Sequence, residues 1–422
     1  VCAYVLVCLA SVDGALSGDD HFSLWIAAAV AAGDRPDIDV FDPGSPLQWW
    51  MSYLGQRLTG GRTIGEVALA ITFKTVGLVA VFHMTRRLVG RWDAAWAATV
   101  VVSTMLLAYH VYGWEKVFIY PVSVLAAMAY LEGRARPWLL GCLAAMAGLL
   151  RHDHGLYVGL FLGAAVLSGP RPRLRSFLVF AACAVAIYSP WLWWIARTEG
   201  LVEYLRARVG FSSGLGLLES RPLFQFVFPL WSFDGAVVWT WHIALAVPLA
   251  AFALGLVRRH VALMLTAALL LVLEAGIMRQ GLQVKETAIL WVPLFACLLF
   301  QVRRGVGAWV VRATAIVLVV TVPIVTGAPE RLSGLVLRYG GLFTRAAAAV
   351  RYHSKPRQLD DYAPPTERNE RLIVRYAALC LTDADRIWDT SDWFPLSYYS
   401  GRRPVWHTYW SLGFLRDDAS QR

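Results

Sequence analysis

Charge is what this chain has least of. Asp, Glu, Lys and Arg make up 16% of its 422 residues, against 58% hydrophobic residues, and only four positions are lysine: Lys74, Lys116, Lys285 and Lys355. That balance, with a mean hydropathy of +0.52, excludes a soluble globular enzyme. Cysteine is equally uninformative as a framework. The six (Cys2, Cys8, Cys142, Cys183, Cys297 and Cys380) form no CxxC pair and five lie in apolar runs, which argues against both a disulfide scaffold and a zinc site. Internal repeats and low-complexity segments are absent as well.

What is present is a succession of apolar runs, most of about 17–25 residues and long enough to cross a bilayer core of roughly 30 Å, with those at 137–150 and 155–168 shorter. Their positions predict helices at 1–16, 66–89, 93–110, 117–132, 137–150, 155–168, 176–197, 237–257, 260–277, 286–302 and 306–326. The expected fold is an all-α polytopic membrane protein of about 11 transmembrane helices, with a small C-terminal extracytoplasmic α/β domain. The opening run starts at Val1 with no basic residue ahead of it, and reads as a helix clipped at its beginning rather than a signal peptide.

A formal net charge of +10 raises the question of nucleic acid, and its distribution answers it. The arginines gather in alternate short turns: Arg86, Arg87 and Arg91; Arg134 and Arg136; Arg171, Arg173 and Arg175; Arg258 and Arg259; Arg303, Arg304 and Arg312. This is the positive-inside pattern of a membrane protein, so nucleic acid is not an expected partner. It assigns the basic turns to the cytoplasm and the tail to the outside. It also collects Asp19-Asp20-His21, Glu115-Lys116, Arg151-His152-Asp153-His154 and the stretch from Arg279 to Glu286 at outer helix ends.

Two adjacent carboxylates at the end of an apolar run must sit in water or in a polar site, because each costs on the order of 2.5–3.5 kcal/mol at a bilayer centre. Asp19 and Asp20 therefore either close the helix and solvate a loop or form a catalytic centre. The first external loop, 17–65, is long; within it Trp49, Trp50, Met51, Tyr53 and Leu54 predict a helix lying in the interface. Residues 1–326 are read as the transmembrane domain and 327–350 as an interfacial amphipathic linker with Arg331, Arg338 and Arg345 at seven-residue spacing. Residues 351–422 are read as a small soluble domain whose aromatic residues supply a core.

The acidic pair after the first span, the loop motif Pro46-Leu47-Gln48-Trp49-Trp50 and the second span's close, Thr85-Arg86-Arg87-Leu88-Val89-Gly90-Arg91, together resemble the GT-C glycosyltransferases. So do Arg151-His152-Asp153-His154-Gly155-Leu156 and Tyr398-Tyr399-Ser400-Gly401-Arg402-Arg403-Pro404. That superfamily includes protein O-mannosyltransferases and aminoarabinose transferases. The resemblance implies an enzyme of the bacterial inner membrane that takes a sugar from a polyprenyl-phosphate carrier and passes it, with inversion, to a lipid, glycan or protein acceptor at the outer face. It also implies that Asp19 or Asp20 matches the superfamily's first-loop acidic motif.

Such a reaction needs a base for the acceptor hydroxyl and cations for the leaving phosphate. Adjacent carboxylates oppose each other's ionisation, which makes one the better base without saying which. Lys285, Arg279, Arg151 and Lys116 are the candidate phosphate donors. His21, Glu115, His152, Asp153 and His154 are candidates for positioning substrate, with Glu115 alternatively balancing Lys116. The spacing of these histidines and acids matches no metal motif, and a divalent cation at Asp20 stands as the alternative use of the acidic pair. The rival readings are an O-antigen polymerase or ligase type of lipid-carrier enzyme, and a transporter or flippase. A transporter would place its charges near the midplane and show inverted repeats.

Overall fold

The computed structural model describes residues 2–12, 18–31, 33–34, 44–107, 115–133, 136–168, 173–198, 200–206, 234–278, 284–301, 341–355, 376–377, 379–382, 385–387 and 403–404. The expected span at 306–326, the linker up to 340 and most of the expected C-terminal domain lie outside the described residues. Within that domain, β1 (Arg386–Ile387) and β2 (Arg403–Pro404) pair in parallel, Arg386 opposite Arg403.

The described helices follow the apolar runs closely. They are α1 (Cys2–Ser11), α2 (Gly18–Ala31), α3 (Pro46–Leu58), α4 (Ile64–Val89), α5 (Trp92–Leu107), α6 (Glu115–Glu132), α7 (Pro137–Leu150), α8 (His152–Ser168), α9 (Arg173–Thr198), α10 (Asp234–Val257), α11 (Val261–Met278), α12 (Val284–Gln301) and α13 (Leu342–His353). Local chemistry explains several limits. Gly90 ends α4 at φ 75°, its N–H donating to the Arg86 carbonyl, a left-handed cap that glycine adopts without a Cβ penalty. Pro137 opens α7, where its missing N–H costs nothing. The segment 17–65 differs from the expected single loop, since it holds a helix over the tryptophan-rich stretch, α3, and the additional helix α2.

The core runs through α4, α5, α6, α7, α8, α10, α11 and α12, with Met84, Phe118, Ile119, Leu162, Leu270 and Trp291 inside it. Contact between helices depends on small residues. A Cβ on Gly77 of α4 would stand 2.6 Å from Ile289 Cδ1 and 3.1 Å from Pro121, so α12 and the proline-bearing face of α6 both rest on that bare backbone. Two described helices, α4 and α9, are long and apolar enough to cross a membrane by length and composition. Only 17% of the apolar window of α9 is buried, and Leu174, Leu178, Val185 and Trp193 stand exposed on it. An apolar face of that extent fits a lipid surrounding.

Helix α13 returns the chain to its start. Twelve residues long and carrying Arg345 and Arg351, it is too short and too charged to span. It buries Ala346 against Ala10 of α1, and Ala349 joins Cys8, Val12 and Val67. His353, 1% exposed, meets the Thr63 hydroxyl at 2.8 Å through Nδ1. Burial lowers the His353 imidazole from its ordinary 6.5 to about 4. A lowered value means that the undocked chain takes the proton first. The stability it lends is thus complete above pH 6.5 and declines as pH falls from there toward 4. Hydrogen exchange across 342–353 is expected to accelerate over that window in the wild type and to show a flatter response in His353→Gln.

Candidate active site

Helix α2 brings the acidic pair to a defined place. Asp19 and Asp20 lie in its first turn, where carboxylates favour the positive end of the helix dipole; they open a helix rather than merely closing one. The body of α2 is buried almost all round, with Leu24, Trp25, Ile26, Ala27 and Ala29 in the interior. Its partners are aromatic. Trp49 of α3 and Trp191 of α9 meet edge to face with centroids 5.6 Å apart, Trp191 stacks on Trp194 at 5.1 Å, and Tyr204 completes the cluster with Leu24, Trp25 and Ile195.

Helix α3 is in turn fastened to α4 by backbone contact and a buried polar cluster. A Cβ on Gly65 would fall 2.3 Å from the Gly55 carbonyl oxygen. Beside that crossing, Glu66 is fully buried and accepts from the Ser52 hydroxyl and from Gln56 Nε2 at 3.5 Å. The same Gln56 amide reaches the Leu24 carbonyl of α2, also at 3.5 Å, so one side chain ties α2, α3 and α4. Ser52→Ala withdraws a donor from a buried acid and is expected to destabilise the fold by about 1–3 kcal/mol in unfolding measurements in detergent.

The α7–α8 corner brings the second candidate group together. Arg151, in extended conformation at φ −165°, ψ 120°, is the single residue between the two helices, and His152, Asp153 and His154 form the first turn of α8. His152 is held from four sides. Its N–H donates to the Gly44 carbonyl at 3.3 Å, and Nδ1 lies 2.8 Å from the Gly148 carbonyl and 2.7 Å from the Tyr188 hydroxyl. Nε2 meets the Tyr204 hydroxyl. A carbonyl only accepts, so Nδ1 carries the proton and the Tyr204 O–H donates to Nε2. Gly44 must be bare here, since a Cβ would stand 3.1 Å from His152 Cδ2.

Asp153 gathers donors on one oxygen. Arg151 Nε donates to Oδ1 at 2.9 Å, and the backbone N–H and Nδ1 of His154 both approach Oδ1 at 2.8 Å. Partial burial opposes its charge, but the Arg151 guanidinium and His154 hold the Asp153 carboxyl well below the usual carboxylate range. His154 itself is 1% exposed and packs beside Tyr120 of α6. This cluster does not fit a metal, because both ring nitrogens of His152 are engaged by hydroxyls and a carbonyl. Among the described residues no group of three His, Cys, Asp or Glu side chains is placed to hold one.

The structure thus gathers Arg151, His152, Asp153 and His154 at one corner in two hydrogen-bonded groups: Arg151 and His154 on Asp153, and His152 with Tyr188, Tyr204 and the Gly44 carbonyl just ahead of α3. For Asp19, Asp20, His21, Glu115, Lys116 and Lys285 it describes the backbone of α2, α6 and α12, and their side chains lie outside the described residues, as does Arg279. Tyr188, Tyr204 and Glu66 are the members that reading the sequence misses. Glu66 carries a signal of its own, an acid beside Gly65 at the head of an apolar run.

No protein-family model matches the chain, and no curated protein matches it by sequence. Solved structures do. The crystal structure of ArnT from Cupriavidus metallidurans bound to undecaprenyl phosphate aligns over 99% of this chain and 87% of its own, with a TM-score of 0.60 at 15% identity. The chain has the ArnT fold. The apo state of the same ArnT aligns over the same shares, with a TM-score of 0.56 at 13% identity. ArnT is a GT-C aminoarabinose transferase, so its fold lies within the superfamily that the sequence motifs resemble. At these identities the likeness to ArnT is one of fold, and the chemistry has to be argued from the residues.

Proposed function

We propose that this chain is an inverting membrane glycosyltransferase that uses a polyprenyl-phosphate sugar. The observation that carries the reading is the ArnT fold over nearly the whole chain, in a relative bound to undecaprenyl phosphate. Support from this chain's own residues comes from α2, which opens on Asp19 and Asp20 and is anchored on α3 and α9. In the proposed step, the carboxylate of Asp19 or Asp20 takes the acceptor hydroxyl's proton. The acceptor oxygen bonds to the anomeric carbon, and the bond from that carbon to the phosphate oxygen breaks, its electron pair leaving with the polyprenyl phosphate. A positioned base of this kind contributes about 10²–10⁴-fold.

Lys116, Arg279, Lys285 and Arg151 are the proposed cations for the departing phosphate. Arg151 reaches that role only with N–H groups other than the Nε it gives to Asp153. His21, Glu115 and the His152–His154 turn shape the acceptor side. We place this chemistry at the outer face of a bacterial inner membrane, within about 11 spans and with a C-terminal α/β domain outside, and the acceptor is a lipid, a glycan or a protein.

The test is transfer from a panel of radiolabelled polyprenyl-phosphate sugars in membranes that contain the protein, with envelope extract as acceptor. Label is expected to leave at least one carrier. No transfer from any carrier, with the protein present and folded, overturns the reading.

A further inference from the structure

At the end of the bundle opposite the acidic pair lies a cavity of about 160 Å³, lined by Arg87, Leu88, Leu131, His260, Ala262 and Leu263. It forms where the last turns of α4 and α6 meet the tight corner between α10 and α11. That corner is only three residues long, and Arg259 adopts φ 52° to make it. A Cβ on Gly255 would lie 2.9 Å from Met264 N, so the two helices are pressed together just behind the cavity. The residue that emerges from the corner, facing the cavity, is His260.

The polar wall of this cavity consists of donors. His260 Nδ1 accepts the Leu263 N–H at 3.1 Å, so the imidazole's proton sits on Nε2, which is left as a donor. Arg87 gives Nε to Glu132 Oε2 at 3.3 Å and one terminal nitrogen to the Glu132 carbonyl at 3.2 Å, and a guanidinium has five N–H groups to offer. The start of α11 adds the positive end of a helix dipole. Glu132 offsets one positive charge, while Arg258 and Arg259 in the corner add two more. The remaining walls, Leu88, Leu131, Ala262 and Leu263, are apolar. Donors on one side and hydrocarbon on the other suit an amphiphile whose head is an anion.

We infer that this cavity binds the phosphate of an anionic phospholipid, with Arg87 and His260 Nε2 as its donors and the leucines against its glycerol and upper chains. The site is separate from the candidate active site and does not depend on the glycosyltransferase reading.

The experiment is native mass spectrometry of the purified full chain in detergent, titrated with phosphatidylglycerol, phosphatidylcholine or inorganic phosphate. The wild type is expected to retain one phosphatidylglycerol in preference to phosphatidylcholine. Arg87→Gln and His260→Ser are each expected to weaken that retention by about tenfold, the loss of one hydrogen bond to a charged group. Serine at 260 keeps an acceptor for the Leu263 N–H, so that variant tests the site if Arg87→Gln fails to fold. Arg175→Gln, an exposed arginine of α9, is expected to leave retention unchanged. Equal loss in Arg175→Gln, unchanged retention in a folded His260→Ser, or displacement of the lipid by inorganic phosphate at millimolar concentration would each overturn the inference.

Discussion

Asparagine at whichever of Asp19 and Asp20 takes the acceptor proton is expected to lower turnover by about 10²–10⁴-fold, with little change in the apparent affinity for the carrier. The substitution is conservative where it has to be. Asparagine is nearly isosteric with aspartate and is well tolerated at a helix start, so the first turn of α2 should survive it. The rest of α2 is anchored by Leu24, Trp25 and Ile26 against Trp49, Trp191 and Tyr204, and none of those contacts is touched. Steady-state kinetics at matched expression separate the outcomes. A fall in kcat in one variant names the base, a fall in both points to a pair acting together, and unchanged turnover in both removes the first turn of α2 from the mechanism.

The second large effect is structural. Gly155→Val is expected to destabilise the protein by about 3 kcal/mol or more, because the new side chain has no room and the backbone must move. A Cβ at position 155 would sit 2.0 Å from Gly148 Cα and 2.3 Å from Gly148 N, so α7 and α8 cross in direct backbone contact one turn from their corner. Separating them also moves the Gly148 carbonyl and His152, and with them the bonds to Tyr188, Tyr204 and Gly44. Gly159→Ala is the matched control on the same helix. Nothing lies within 4 Å of a Cβ there, and removing a mid-helix glycine should leave stability unchanged or raise it by up to about 1 kcal/mol. Thermal unfolding of both variants in the same detergent makes the comparison.

The spans are legible in the sequence because hydropathy and helix punctuation agree. The apolar run 137–150 coincides with α7 since Pro137 starts it and Arg151 ends it, and 66–89 comes within two residues of α4 because Gly90 supplies the stop. Helix α2 is not legible as a helix. Its apolar stretch is too short to span, and the aspartates, glycines and prolines around it carry the signature of a loop. What makes it a helix is burial against Trp49 and Trp191, and Trp191 is far away in sequence.

The candidate site divides in the same way. Four polar residues between two apolar runs single out Arg151 to His154, and the structure holds three of them together, with Asp153 bonded to Arg151 and His154 and His152 beside them on partners of its own. Their partners are invisible to spacing, since Tyr188 and Tyr204 lie 36 and 52 residues beyond His152. The link from His152 to Gly44 exists only because the start of α3 folds back onto α8. The Ser52–Gln56–Glu66 cluster is equally a product of packing. Helical spacing alone aligns Ser52 with Gln56 on one face of α3, but it does not say that a buried acid from the next helix will meet them.

The docking of α13 on α1 sets an order of assembly. His353 closes on Thr63 across 290 residues of chain, and Ala346 and Ala349 cover Ala10 and Cys8. Helix α1 is made before α13, and that part of its surface stays uncovered until α13 has been synthesised. Chains of this size fold progressively from the N-terminal side during synthesis, so completion of α1 waits for every helix between it and α13. A ribosome stalled anywhere before residue 342 would leave α1 incompletely packed, open to quality-control proteolysis.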